Sequence, residues 1–144
     1  MRVNEWMSPS PITAAPNTSV SEARELMRRS TIRHLLVTEG KELVGIITDR
    51  DIRLNLPSPA TSLSVWEINY LLTRLTVGDT MTKAVITVEP ERPIEAAARL
   101  ILDHRIGALP VIDNGRLVGI LTETDLLRAF VYSQTALSSA PASG

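Results

Sequence analysis

The chain has 144 residues, 44% of them apolar, enough for a real core in one modest domain or two half-size units. Its 15 basic and 16 acidic side chains and 3% aromatic content exclude an electrostatic case for nucleic acid or an anionic membrane, and leave few stacking platforms for single strands. It has no cysteine, which excludes disulfides, thiol catalysis and cysteine-ligated zinc; with no signal-like or membrane-length apolar run, the expectation is a soluble cytoplasmic protein without membrane contact.

A short strand is predicted near Ile12-Thr13. A helix follows over about 20–29: Ser19 and Glu22 have capping-box spacing, and Val20, Ala23, Leu26 and Met27 share one face. Strands are predicted at 34–38 and 43–48, joined by a short Gly-containing turn, and a second helix starts after Thr48. "PSPATS" (57–62) reads as a loop. "SVWEINYLLTRL" reads as a helix, with Ser64 and Glu67 at capping-box spacing and Val65, Ile68, Leu72 and Leu75 on one face. Trp66 and Leu71 lie on other faces of that helix, so either a partner chain covers one side or all of it packs on its own domain. The series then repeats: a strand near Ile86-Thr87, a helix over about 93–104 with Pro93 in its first turn, and strands 109–112 and 116–121 around Asn114-Gly115, a strong hairpin signal. Another helix follows Thr122. The small, polar tail is expected to be disordered.

The repetition is quantitative. Gly45 and Gly119 lie 74 apart, and that offset gives sixteen identities between 3–54 and 77–128 without a gap, among them Ile12-Thr13 with Ile86-Thr87, Leu43-Val44-Gly45-Ile46 with Leu117-Val118-Gly119-Ile120, Thr48 with Thr122 and Asp51 with Asp125. Chance gives roughly three or four. The fold class expected is α+β, two tandem β-α-β-β-α repeats packed around a pseudo-twofold axis. The divisions are 1–56 (first repeat), 57–76 (linker loop and helix), 77–134 (second repeat) and 135–144 (tail).

Both copies resemble cystathionine-β-synthase (CBS) domains, and the chain looks like a stand-alone CBS pair. The resemblance covers residues 3–131. It rests on "MSPSPITAAPNTSVSEARELM" and "MTKAVITVEPERPIEAAARLI", "IRHLLV" and "IGALPVID", "LVGIITDRD" and "LVGILTETD". It implies clefts of nucleotide size for adenosine-containing ligands such as AMP, ADP, ATP or S-adenosylmethionine, held as regulatory ligands with no required cofactor, and a homodimer built from helix faces. The family's ligand pattern is Gly, apolar, any, Thr or Ser, any, any, Asp. It is met by Gly45-Ile46-Ile47-Thr48-Asp49-Arg50-Asp51 and by Gly119-Ile120-Leu121-Thr122-Glu123-Thr124-Asp125.

The chemistry of that pattern stands by itself. One carboxylate can accept both hydroxyls of a ribose, a threonine hydroxyl can reach a ribose or phosphate oxygen, and glycine lets a backbone come close. The candidates are Thr48 with Asp51 and Thr122 with Asp125. The plainer reading is that Thr48 and Asp49, or Thr122 and Glu123, start a helix; capping and dipole effects are expected to fade before Asp51 and Asp125, so these two point to a ligand. By resemblance, Ile12 and Ile86 are candidates for an aliphatic adenine wall, with ordinary core the alternative. Arg33, His34 and Arg50 are the cations for phosphates, or else surface charge. The second copy has Gly107, Ala108 and Thr124 instead, so the two sites should differ in phosphate preference.

No catalytic constellation is visible. His34 and His104 are the only histidines, and no Gly-Lys-Ser/Thr run occurs. The chain is therefore read as a non-enzyme: an adenine-nucleotide sensor acting on an unknown protein target. A ligand-free dimeric interaction module is the alternative.

Overall fold

The computed structural model describes residues 1–56 and 63–139. In chain order its elements are α1 (Val3–Trp6), β1 (Ser8–Pro9), β2 (Thr13–Ala14), α2 (Val20–Ser30), β3 (His34–Glu39), β4 (Glu42–Thr48), α3 (Asp49–Leu54), α4 (Val65–Arg74), α5 (Val77–Thr80), α6 (Ile94–His104), β5 (Ala108–Asp113), β6 (Arg116–Thr122) and α7 (Glu123–Ser139). The α+β class and the tandem repeat are as the sequence implies. The predicted loop 57–62 lies outside the described residues, as do 140–144 of the expected tail. Residues 135–139 of that tail belong to α7 instead. "TALSS" contains no Gly or Pro, so nothing stops a helix already running.

The two repeats do not coincide with the two compact units. One unit is Ile12–Val85; the other joins Met1–Pro11 to the chain from Ile86 onward. In the first, β2, β3 and β4 form a sheet in that order, with β2 parallel and β4 antiparallel to β3. The last ladder position comes from the start of the second repeat: Ile46 and Thr82 exchange N–H···O bonds of 3.0 and 2.8 Å. Helix α5 follows the same exchange, and its Val77 is fully buried in this core. Gly45 lies directly beneath that segment. A Cβ there would come within 2.5 Å of Met81 Sδ and 3.0 Å of the Thr82 carbonyl. The glycine thus admits the chain's own backbone, not a ligand.

The core of this unit is made by Val20, Ala23 and Met27 of α2, Leu35 and Val37 of β3, Ile47, Ile52 and Leu72. The helical face read from the sequence is the one that packs. Ser19 Oγ accepts the Glu22 N–H at 3.1 Å, while Glu22 makes no return bond, so only half of the expected box forms at α2. On α4, Ser64 and Glu67 complete theirs, with Leu72 buried and Ile68 and Leu75 packed beside it. Val65, expected on that face, is exposed because it starts the helix.

The second unit mirrors the first. β1, β6 and β5 form its sheet, with Ser8 opposite Ile120 and Pro9 opposite Gly119. Proline is tolerable here because β1 is an edge. The parallel edge that β2 supplies in the first unit shrinks to one bridge, Val88 to Val111, one residue beyond the expected Ile86-Thr87. Asn114 and Gly115 both have positive φ, 50° and 79°, the turn their sequence predicts. Ile94, Ala97, Ile101, Leu109, Val111 and Leu121 form the core, closed by Val3 of α1. Pro93 is the N-cap of α6 rather than its first residue. Trp6 meets the ring of Tyr132 on α7 edge-on, centroids 5.5 Å apart.

Candidate ligand-binding corners

Each predicted motif forms one corner where a strand passes directly into a helix. In the first repeat β4 ends at Thr48, still extended (φ −119°, ψ 164°), and α3 begins at the next residue. Thr48 Oγ1 accepts the Asp51 N–H at 3.1 Å. In return Asp51 Oδ2 accepts the Thr48 N–H at 2.9 Å and its hydroxyl at 3.0 Å. The second repeat reproduces this: Asp125 Oδ2 accepts from Thr122 N–H at 2.8 Å and Oγ1 at 3.1 Å, and Asp125 N–H donates back at 3.4 Å.

Both are capping boxes with Asp in the place usually taken by Glu or Gln. Asp51 and Asp125 are therefore inside the cap, contrary to the expectation that capping stops short of them. The same box recurs at Thr76 and Asp79, where Asp79 Oδ2 accepts from Thr76 Oγ1 at 2.8 Å with no strand before it. A Thr-x-x-Asp spacing alone thus accounts for structure without any ligand.

The cap uses one carboxylate oxygen, and the corners part over the other. Asp51 is half-buried, and its Oδ1 has no partner among the described residues. Asp125 is only 4% exposed, with Arg128 Nη1 3.7 Å from its Oδ1. Arg128 escaped the sequence reading, although three residues on a helix bring it beside Asp125. In the first repeat Leu54 holds its place. There the ion pair of α3 is Arg53 with Asp49, 3.2 Å, and among the described residues none is made by Asp51.

Strand register gathers the other candidates of the first repeat at the same sheet end. His34 lies opposite Thr48, Arg33 precedes it, and Ile12 precedes Thr13, which is level with Leu36. Arg33 and Arg50 are exposed. Ile12 is 43% exposed and outside the core, whereas Ile86 packs partly against the core of its unit. In the second repeat Ala108 stands opposite Thr122, and no cation takes the places of Arg33, His34 or Arg50. Among the described residues no three His, Cys, Asp or Glu side chains are grouped to hold a metal ion, and no helix is long and apolar enough to cross a membrane.

A family model for the CBS domain matches residues 3–58 and again 77–132. The chain belongs to the CBS domain family. Among curated proteins, an inosine-5'-monophosphate dehydrogenase of Korarchaeum cryptofilum is 39% identical over 116 residues, 80% of this chain but only 21% of that enzyme. A CBS domain-containing protein of Dictyostelium discoideum is 35% identical over 127 residues, 87% of this chain and 88% of that protein. The chain thus spans about a fifth of the matched enzyme. Two solved CBS proteins are similar through nearly their whole length. The CBS domain pair of protein MJ0100, in complex with 5'-methylthioadenosine and S-adenosyl-L-methionine, has 30% identity and a TM-score of 0.76, covering 92% of this chain and 98% of its own. CBSX2 in complex with AMP has 34% identity and a TM-score of 0.76, covering 91% and 97%.

Proposed function

We propose that this CBS pair is a regulatory module that binds an adenosine-containing ligand through the threonine and aspartate of its strand-to-helix corners and passes the binding on to a protein partner. One observation carries the reading: Asp51 uses Oδ2 to hold its own helix and leaves Oδ1 without a partner among the described residues. A carboxylate fixed in this way is ready for a pair of ribose hydroxyls without any loss of side-chain freedom on binding. The exposed Ile12 suits the adenine face, with Ile86 its counterpart in the second repeat. Arg33, His34 and Arg50 suit phosphate oxygens, so AMP, ADP and ATP are the first ligands to try. MJ0100 and CBSX2, bound to adenosine compounds, agree with this choice.

We also propose a homodimer. Trp66 (84% exposed) and Tyr70 of α4, with Leu63, Glu67 and Leu71, outline an open apolar groove, and Leu127, Phe130 and Val131 follow one exposed side of α7. These faces also support a second reading, a dimeric interaction module without ligand, since capping alone explains the recurrence of both aspartates.

Thermal unfolding with millimolar AMP, ADP, ATP and S-adenosylmethionine separates the two. A ligand at 100 times its Kd adds about 2.7 kcal/mol, several degrees for a chain of this size. A shift with one of them that disappears in the Asp51→Asn/Asp125→Asn double variant supports the sensor. No shift with any supports the interaction module.

A further inference from the structure

The two corners share a backbone and a capping box, yet their second carboxylate oxygens are in opposite states. Resting on the adenosine-ligand reading above, we infer that the corners are unequal: the first repeat holds the nucleotide site, selective for a phosphorylated ligand, and Arg128 latches the second corner shut. Asp51 Oδ1 has no partner among the described residues, and neither Arg33, next to the His34 that stands opposite Thr48, nor Arg50, next to Asp51 in the chain, has an ion-pair or hydrogen-bond partner among them. A ribose phosphate satisfies all three groups together: its hydroxyls donate to the carboxylate and its phosphate oxygens accept from the arginines.

The second corner offers the reverse. Asp125 is buried and its Oδ1 already faces Arg128. A ribose there has to compete with that guanidinium for the carboxylate, and the Gly107 and Thr124 found in place of Arg33 and Arg50 bring no positive charge to a phosphate. The repeat itself provides the control, because the residue equivalent to Arg128 is Leu54, which cannot latch.

Isothermal titration calorimetry of the full chain with AMP and with adenosine tests this. The expected result is one AMP site per chain, at least tenfold tighter than adenosine. Arg33→Ala/Arg50→Ala abolishes that preference, and Asp51→Asn abolishes the site. Arg128→Leu adds a second site that takes adenosine and AMP alike. Asparagine keeps a carbonyl for the cap, so these aspartate variants should stay folded, which circular dichroism checks. Two equal sites in the unaltered chain, a single site lost through Asp125→Asn but kept in Asp51→Asn, or no added site in Arg128→Leu would each overturn the inequality while leaving the adenosine reading intact. Binding of neither compound overturns both.

Discussion

Asp51 has two roles assigned to two oxygens, and a pair of substitutions separates them. Asp51→Ala removes the hydrogen bonds to Thr48 N–H and Oγ1, 2.9 and 3.0 Å long and half-buried. At about 1 kcal/mol net for each bond, the loss is about 1–2 kcal/mol, or about 3–6 °C in Tm for a chain of this size. Asp51→Asn retains an acceptor for both bonds and loses only the charge near the helix start, about 0.3–1 kcal/mol. Its amide, however, sets two donors where the unpartnered oxygen stood. Ribose hydroxyls then meet a donor, and charge-assisted bonds of about 1.5–3 kcal/mol each are lost, at least tenfold in Kd. Differential scanning fluorimetry with and without AMP reads both effects. The expected pattern is a near-normal Tm without a ligand shift for Asn, and a lowered Tm without a shift for Ala. If Asn keeps the full ligand-induced shift of the unaltered chain, Asp51 is a cap alone and the site assignment is refuted.

Gly119→Ala should cost about 1–3 kcal/mol, because its Cβ would lie 2.6 Å from Met7 Sδ and 2.9 Å from the Ser8 carbonyl; urea unfolding measures this, and an unchanged midpoint would refute the close approach. The Thr76 hydroxyl, then the Thr76 N–H, hold the Asp79 carboxyl below its ordinary pKa, against a smaller opposing effect of desolvation and with a still smaller contribution from Lys83. Since the folded value is the lower one, this contribution is fully present above the ordinary carboxylate pKa and is lost as pH falls through the lowered value. Thr76→Val should therefore flatten the acid limb of the stability curve in that window; an identical limb would refute the linkage. Trp66→Glu, on a side chain 84% exposed, should leave thermal stability within about 0.5 kcal/mol in a monomer and shift sedimentation from dimer to monomer if α4 forms the proposed interface.

Most of the helices and both hairpins were legible because their signals are local. Val20, Ala23 and Met27 recur at helical spacing and do pack, and Asn114-Gly115 makes the turn its residues require. The segment exchange was not legible. Ser8-Pro9 has little strand propensity, and its partner Ile120 is far along the chain, so no local pattern announces the pairing. At the corners the residues were legible but one of their roles was misjudged. Thr76-x-x-Asp79, with the same spacing and no preceding motif glycine, was available in the sequence as a sign that such an aspartate caps. Arg128 was missed because the motif ends three residues before it.

The exchange of first segments makes one unit an insertion within the other. Ile12–Val85 is continuous and can close as soon as it has been made. Met1–Pro11 emerges earlier from the ribosome but reaches its sheet only after Thr122 exists, so it finds its place later than the inner unit that follows it in the chain. A cut at the repeat boundaries would leave each half without its own edge and carrying the other's, whereas a fragment of residues 12–85 keeps together the described core residues of the inner unit.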